Sequence, residues 1–329
     1  MDMPTSALTG ITLKDLFDAG LHFGHQTKRW NPKMKGYIFD KRNGIHIIDL
    51  QQTVGLIDEA AAFVRDTVLA GKKILFVATK KQLAEMVKAT AESVEQFYVT
   101  ERWLGGTLTN AKTIRSSVKR MRQLQATAKA NGGELSEHKQ EASMLRRELA
   151  KLEKNLTGIA EMAEQPGAVV VVDVVREANA VKEAVRLHIP VVAIVDTNAD
   201  PEPIDYVVPG NDDSVRGVEL ILNGLTKVVK AAADEYSAKA AEESRKREAD
   251  RAKRDDAEKA ARAERKAKSA AKKPAAGAAK KPAVAVNVKA AARAAKEAAE
   301  AKAKADLEAK RQAAVVEAEA AAAAAPAAE

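Results

Sequence analysis

Short apolar runs alternate with helical patterns through the middle of the chain. Residues 74–78 are uniformly apolar, and Ala168 to Val175 is a largely β-branched run that suits a strand buried on both faces. Pro190 precedes a third run, Val191 to Val195, and residues 206–208 form a short fourth run. These segments have the length and composition of strands and predict a buried sheet.

Helical periodicity follows the strand-like runs. Residues 82–92 and 178–187 carry apolar side chains at helical spacing. Ser214 is a candidate N-cap for a long helix whose apolar stripe includes Val218 and Leu222. Strands that alternate with helices predict an α/β fold, a parallel sheet with helices on both faces.

The N-terminal part adds a helix and a hairpin. Leu13 to Gly20 is predicted to be helical, and residues 36–39 and 45–48 are predicted to pair as strands. They turn at Arg42-Asn43-Gly44, a sequence that suits the positive φ angles of a tight hairpin. We predict one α/β domain over residues 1–236.

A helical insertion interrupts the alternation. Asn110 to Ala130 and Ser136 to Leu156 are helical segments, separated by a break at Asn131-Gly132-Gly133. Apolar residues of the second segment recur at alternating spacings of three and four, the pattern of a coiled-coil seam. The seam contains Ala142, Leu145, Leu149, Leu152, Leu156 and Ile159, facing Ile114, Val118, Met121, Leu124 and Ala128. We predict an antiparallel coiled-coil hairpin over residues 109–158 that protrudes and packs only on itself.

Charge separates the domain from a C-terminal tail. Of the 54 Lys and Arg and the 46 Asp and Glu, 31 of each lie in residues 1–237, so residues 238–329 hold 23 bases and 15 acids, the whole formal excess of +8. Ala, Lys and Glu dominate residues 237–329, with Lys-Lys-Pro at 272–274 and again at 280–282. We expect this tail to be partly helical and then disordered, with weak non-specific affinity for nucleic acid.

Several function classes find no support in the sequence. There is no cysteine, so a thiolate nucleophile and a Cys-based zinc site are impossible. No secretory signal, no membrane-spanning apolar run and no glycine-rich phosphate loop or nucleophile elbow is recognisable. We therefore expect a cytoplasmic protein that is not an enzyme.

Cations and aromatic residues are interleaved in two segments. From Lys28 to Arg42 there are six bases against one acid, Asp40. The second segment begins at Arg102 and continues through Gly105-Gly106, where glycines permit close backbone approach. Ammonium and guanidinium groups neutralise phosphates, and aromatic faces stack on exposed bases. The candidate RNA-binding residues of these segments are Lys28, Arg29, Trp30, Lys33, Lys35, Arg42, Arg102 and Trp103. The alternative is that each Trp packs within its own domain, Trp103 at the root of the helical insertion.

A third cationic group lies on the first arm of the helical insertion. Residues 112–129 hold six bases and no acid. Four of these bases share one helical face, namely Lys112, Arg115, Lys119 and Arg122. We call this group the stripe, and predict that it faces phosphates, because a merely solvated face normally mixes charge signs.

Acidic residues are concentrated near the predicted strand ends. Residues 196–213 hold six acids and no base. Together with His22 and His25, Asp196 and Asp212 are candidate ligands for a divalent metal ion, zinc or magnesium, although no cofactor is required. The alternatives are that these loops are solvated helix caps, or that they serve a metal-dependent phosphohydrolase, for which no nucleophile is identifiable. A third hypothesis is nucleic-acid compaction by the basic tail.

The motifs resemble one known family. They are His22-Phe23-Gly24-His25-Gln26, Arg29-Trp30-Asn31-Pro32-Lys33-Met34, Arg42-Asn43-Gly44-Ile45-His46-Ile47-Ile48-Asp49-Leu50, Phe76-Val77-Ala78-Thr79-Lys80, Arg102-Trp103-Leu104-Gly105-Gly106, Ala193-Ile194-Val195-Asp196-Thr197-Asn198 and Pro209-Gly210-Asn211-Asp212-Asp213. In order and spacing they are similar to the bacterial small-subunit ribosomal protein two family over about residues 7–235.

The resemblance implies a fold and a role. The implied fold is a flavodoxin-like parallel sheet with a protruding coiled-coil hairpin. The implied role is a late-assembling binder of small-subunit ribosomal RNA between head and body, in contact with neighbouring ribosomal proteins. It also implies a docking platform for the messenger-binding ribosomal protein one. We expect a ribosome-bound protein with no membrane partner that does not form a homo-oligomer. Typical members end soon after the last helix, so nothing is implied for residues 240–329.

Overall fold

The computed structural model describes residues 5–271, except for the side chains of 243–244, 248–250 and 252–271. The helices are α1 Leu13–Asp18, α2 Leu50–Leu69, α3 Lys81–Ser93, α4 Ala111–Ala130, α5 Lys139–Leu156, α6 Ala178–Arg186 and α7 Val215–Ala271. The strands are β1 Phe23–Gln26, β2 Ile38–Arg42, β3 Ile45–Ile48, β4 Ile74–Val77, β5 Phe97–Val99, β6 Ala168–Val172, β7 Val191–Val195 and β8 Tyr206–Pro209. Short 3-10 helices cover Thr27–Arg29, Pro32–Tyr37 and Thr157–Ile159.

The central element is a five-stranded sheet in the order β5-β4-β6-β7-β8, with every neighbouring pair parallel. Successive residues of β4 belong to opposite cores: Ile74 and Phe76 pack with α2, α3 and α7, whereas Leu75 and Val77 pack with α6. The β-branched runs are therefore buried on both faces, as their composition predicts. The predicted α/β fold with helices on both faces of a parallel sheet is confirmed.

A second, antiparallel sheet has the order β1-β3-β2. Its predicted hairpin turns at Asn43 and Gly44, both with positive φ (51° and 78°). Strand β1 packs closely on the loop after β7. A Cβ on Gly24 would lie only 2.6 Å from Cγ2 of Thr197, so the approach requires glycine. The backbone N–H of His25 also donates to the hydroxyl of Thr197 at 2.8 Å. The small sheet is thus fastened at the carboxyl end of the large one.

The helical insertion consists of α4 and α5, which contact each other through polar and apolar side chains. Nε of Arg120 donates to Glu148 at 3.0 Å, and the amide of Gln125 donates to Glu153 at 2.7 Å. The coiled-coil geometry of the insertion stays a prediction. The expectation that the insertion packs only on itself is wrong at its root, since Ile114 belongs to the same buried cluster as Val77.

The residues after α5 fasten the insertion to the sheet. A Cβ on Gly158 would lie 2.2 Å from the carbonyl oxygen of Tyr98 in β5, so only glycine allows this approach. Leu156 and Ile159, which flank Gly158, are both buried in the second core. The end of the insertion therefore packs against the edge strand.

Helix α7 continues beyond the predicted domain boundary at residue 236. The chain divides into two compact units, residues 1–252 and 253–329, and the described residues of the second unit are the last part of α7. The helix thus extends into the tail, which is predicted to be partly helical before it becomes disordered. The predicted disorder of the later tail falls on residues outside those described.

Candidate nucleic-acid interface and carboxylate pocket

The stripe lies exposed along α4. Lys112, Arg115, Lys119 and Arg122 are all exposed, while the opposite side of the helix buries Val118 and Met121. Within the described residues, none of the four cations has a carboxylate oxygen within 4.0 Å. Arg120, which is not part of the stripe, is paired with Glu148 of α5. The stripe is therefore a row of charges that no carboxylate of the described residues neutralises.

Two of the stripe's guanidinium groups are held in place by backbone carbonyls. Arg122 donates to the carbonyl of Ala160 at 3.0 Å, and Arg115 donates to the carbonyl of Ala163. Each guanidinium carries five N–H donors, so one such bond leaves most of its donors available. The carbonyls order the two arginines without cancelling their charge.

Within the described residues, the segment from Lys28 to Arg42, which includes β2, has both unpaired cations and a cation paired with carboxylates. Lys28, Arg29, Lys35 and Arg42 are exposed, as the RNA-binding prediction requires. The ammonium of Lys33, in contrast, lies 2.8 Å from Asp200 and also contacts Glu202. The exposed predicted residues outside the stripe are Lys28, Arg29, Lys33, Lys35, Arg42 and Arg102, of which Lys33 is paired with acidic residues.

The two tryptophans differ in exposure. Trp30 is half-buried, and its ring centroid lies 5.1 Å from that of the buried His46. Trp103 is 8% exposed, and its indole N–H donates to Glu183 at 3.0 Å. The predicted stacking of Trp103 on RNA therefore needs correction, because the ring is buried in the core at the root of the insertion.

Glu183 of α6 organises the segment before α4. One carboxylate oxygen accepts from Trp103 and from the N–H of Gly106 at 2.7 Å. The other accepts from the N–H groups of Leu108 and Thr109 and from the Thr109 hydroxyl. Burial alone raises the pKa of the Glu183 carboxyl, but these hydrogen bonds outweigh it and lower the pKa below its usual value. The backbone donors near Gly106 are thus occupied by an internal carboxylate and are not free for a phosphate.

A carboxylate pocket lies at the carboxyl ends of β4, β6 and β8. The ammonium of Lys80 contacts three carboxylates, those of Asp173 at 3.0 Å, Asp212 at 2.9 Å and Asp213 at 2.7 Å. Burial lowers the pKa of Lys80, yet these partners raise it above its ordinary value. Burial and the neighbouring charge of Asp173 raise the pKa of Asp212 to about 6. Lys80 is the cation that makes this concentration of buried acids tolerable.

His25 completes the pocket, but His22 does not. Nδ1 of His25 lies 2.9 Å from Oδ2 of Asp196, and this contact raises the pKa of His25. Ligand atoms of His25, Asp196 and Asp212 all lie within 4.8 Å of one another. The ring of His22 instead stacks on Phe17 with centroids 4.3 Å apart, and burial lowers its pKa. The prediction of His22 as a metal ligand therefore needs correction.

An exposed aromatic surface adjoins the pocket and has no counterpart in the sequence predictions. Phe17, Phe23 and Phe39 are 56%, 51% and 76% exposed. With His22 and Ile45 they line one depression of about 510 Å³. We call these five residues the aromatic surface. Clustered exposed aromatics are uncommon on surfaces that have no partner.

The fold shows the class of this protein, and the sequence shows its family. The fold gives the class, an α/β protein with a parallel sheet and an inserted pair of helices. Residues 16–232 match the family described as Ribosomal protein S2. Since this match covers more than half of the chain, the chain belongs to the ribosomal protein S2 family.

Relatives from several bacteria bear the name Small ribosomal subunit protein uS2. One from Corynebacterium diphtheriae is 53% identical over 225 residues, covering 68% of this chain and 83% of the relative. One from Treponema pallidum is 49% identical over 229 residues, covering 70% and 78%. Among the described residues, no helix has the length and apolar character needed to cross a bilayer.

We predict that Glu183→Gln loosens the segment before α4. The amide keeps one acceptor oxygen and turns an NH₂ group toward backbone donors, so the free energy of unfolding should fall by roughly 1–2 kcal/mol near neutral pH. Because the folded-state pKa is lowered, the carboxylate stabilises above the ordinary carboxyl pKa and loses this effect as pH falls through the lowered value. The difference from wild type should therefore shrink in acid.

Chemical denaturation monitored by circular dichroism measures the effect of Glu183→Gln. Glu219→Gln, at an exposed position of α7, is the matched control and should be neutral. Equal stability of Glu183→Gln and wild type at neutral pH would contradict the structural role assigned to this carboxylate.

Proposed function

We propose that this chain is a structural constituent of the small ribosomal subunit that binds ribosomal RNA. The observation that carries the proposal is the stripe on α4, four exposed cations that have no carboxylate partner in the part of the chain described. The relatives' name, Small ribosomal subunit protein uS2, supports the same assignment. The proposed site lies between head and body, in a cytoplasmic, ribosome-bound protein that contacts neighbouring ribosomal proteins and does not form homo-oligomers.

Binding works through charge and shape. Phosphates release bound counterions when they meet the stripe, Arg102 and the exposed cations of residues 28–42, which makes affinity depend on salt. These groups lie on separate elements, so together they fix the orientation of the domain on folded RNA.

The phosphohydrolase hypothesis gains no support from the carboxylate pocket. Asp196 and Asp212 are 1% and 2% exposed, and their neighbours are His25 and Lys80. A hydrolase needs a reachable acid, base or nucleophile beside its substrate. Membership in a ribosomal protein family supports a structural role instead.

We predict that the double variant Lys112→Glu with Lys119→Glu fails to enter small subunits. Neither ammonium makes a hydrogen bond or an ion pair within the described residues, so the fold should be unchanged. Each lost phosphate contact reduces the salt dependence of RNA binding, and two should lower the slope by about 2. Sucrose-gradient sedimentation of the tagged protein and salt-dependent titration with small-subunit RNA measure the two effects.

The matched control reverses two cations on the other arm. Lys139→Glu with Lys151→Glu changes the net charge equally on α5, where both lysines are exposed. This control should incorporate more than the stripe variant does. Normal incorporation of the stripe variant would show that the stripe does not bind RNA in the subunit.

We also propose that the pocket of His25, Asp196 and Asp212 holds a zinc ion. One imidazole and two carboxylates suit zinc, whereas magnesium prefers an all-oxygen shell. A bound zinc ion would tie β1 to the loops after β7 and β8, a structural role. Lys80 contacts Oδ1 of Asp212, so the second oxygen of that carboxylate stays available.

Zinc binding should depend on His25 and not on His22. We expect His25→Ala to weaken zinc binding at least tenfold, because one of three protein ligands is lost. His22→Ala, whose ring lies on Phe17, should retain the affinity. Equilibrium dialysis and the zinc-induced rise in melting temperature measure this. Equal zinc binding by the two variants, or none by wild type, would refute the site.

The aromatic surface is our candidate for the docking platform of ribosomal protein one. The aromatic surface adjoins the proposed zinc site, since Phe23 and His25 both belong to β1. Aromatic side chains supply much of the energy of protein interfaces. Protein one would therefore meet apolar rings beside the pocket.

We predict that Phe17→Ala with Phe39→Ala releases protein one from small subunits while this chain stays bound. The two rings are exposed, so folding should be little affected. Quantitative mass spectrometry of purified small subunits measures both proteins. Val185→Ala, which truncates an exposed apolar side chain on α6, is the control. Undiminished protein one on subunits with the double variant would exclude this surface as the platform.

A further inference from the structure

A groove of about 510 Å³ runs between α4 and residues 159–165, which follow the helical insertion. Its floor is apolar and contains Leu108, Ile114, Val118 and Ile159, each buried. We call this the α4 groove. The floor matters because an apolar surface beneath a row of cations attracts a ligand with both an anionic and a flat apolar part.

The two walls of the α4 groove carry opposite charge. Arg115, Lys119 and Arg122 of the stripe form one wall, and Glu161 and Glu164 lie on the other. No ion pair joins the two walls in the described structure, and Glu161 and Glu164 are exposed. The charges of both walls therefore remain available to a ligand.

The cationic wall is already ordered before any ligand binds. Arg115 and Arg122 donate across the groove to the carbonyls of Ala163 and Ala160. Ordered side chains lose less conformational entropy on binding than free ones. Lys119, between them, has an ammonium with no protein partner among the described residues.

We propose that the α4 groove binds one unpaired RNA nucleotide whose base carries an exocyclic amino group. The phosphate contacts Arg115, Lys119 and Arg122, and the base lies on the apolar floor. The amino group donates to Glu161 or Glu164, as carboxylates accept from the amino group of cytosine. This proposal rests on the proposed function and specifies which part of the RNA meets the stripe.

Other ligands match only part of the groove. A continuous RNA duplex offers phosphates but keeps its base faces stacked, so the apolar floor would be unfilled. Inorganic phosphate would meet the repulsion of Glu161 and Glu164 without any gain from the floor. An apolar peptide would cover the floor and leave three cations desolvated without a partner, which is costly. An extruded nucleotide matches all three parts of the groove: its phosphate meets the cations, its base covers the apolar floor, and its amino group meets the acidic wall.

The test uses the full chain and three short RNA duplexes of otherwise identical sequence. One carries a single bulged cytidine, one a single bulged uridine, and one is fully paired. Excess unlabelled paired duplex competes for non-specific sites. Cytosine and uracil have the same shape, but only cytosine has the amino group. We expect the cytidine bulge to bind on the order of tenfold more tightly than either of the other two duplexes.

Variants separate the base contacts from the phosphate contacts. Ala126→Phe fills one end of the groove and should abolish the preference for the cytidine bulge, with no change in salt dependence. Thr127→Phe adds the same ring at the neighbouring exposed position, outside the groove, and should preserve the preference. Glu161→Gln with Glu164→Gln should reduce discrimination between cytidine and uridine at least threefold.

Two kinds of failure are distinguishable. If wild type binds all three duplexes equally, or binds both bulges equally, the groove proposal is overturned while RNA binding by the stripe stands. If wild type fails to bind small-subunit RNA at all, the proposed function fails as well. Retention of the full preference by Ala126→Phe also overturns the groove as the site.

Discussion

The burial of the central sheet on both faces is the constraint from which the rest of the structure follows. Side chains of β4, β6 and β7 are buried on both faces of the sheet, so these strands carry no charged residue. The charged residues of these segments lie beyond the strand ends. Acidic side chains collect beyond the carboxyl ends of the strands, where the ammonium of Lys80 contacts three of their carboxylates. In a parallel sheet these ends lie on one edge, and residues distant in sequence become neighbours there.

The same constraint explains how the helical insertion is attached. A helix pair inserted between β5 and β6 must leave the sheet and return without exposing backbone polar groups to the apolar core. Glu183 accepts hydrogen bonds from the departing segment, and Gly158 lets the returning segment approach Tyr98. The helical insertion that carries the stripe is therefore held at its root in two places. The position of the stripe relative to the sheet depends on buried contacts, although its own side chains are exposed.

Periodicity was sufficient to predict the parallel sheet, because apolar runs and helical stripes are local signals. It was not sufficient for β5, which is only three residues long, and α2 was not recognised although its apolar residues recur every three or four positions. The site was harder to predict than the fold, since Lys80 and Glu183 are polar residues whose partners lie far away in sequence. His22 was misassigned because it precedes β1 and its ring stacks on Phe17, whereas His25 lies within that strand.

Under the proposed function, the pairing of each cation, more than the number of cations, decides which surface faces RNA. Lys33 lies two residues before the exposed Lys35, and Arg120 directly follows the exposed Lys119. Lys33 and Arg120 are nevertheless each engaged by carboxylates of this chain. With 31 bases and 31 acids, residues 1–237 carry no net charge to attract RNA from a distance. Under the proposed function, their separated patches favour one orientation, while the excess of +8 in residues 238–329 would supply attraction without direction. Under the proposed function, attraction and orientation therefore depend on different parts of one chain.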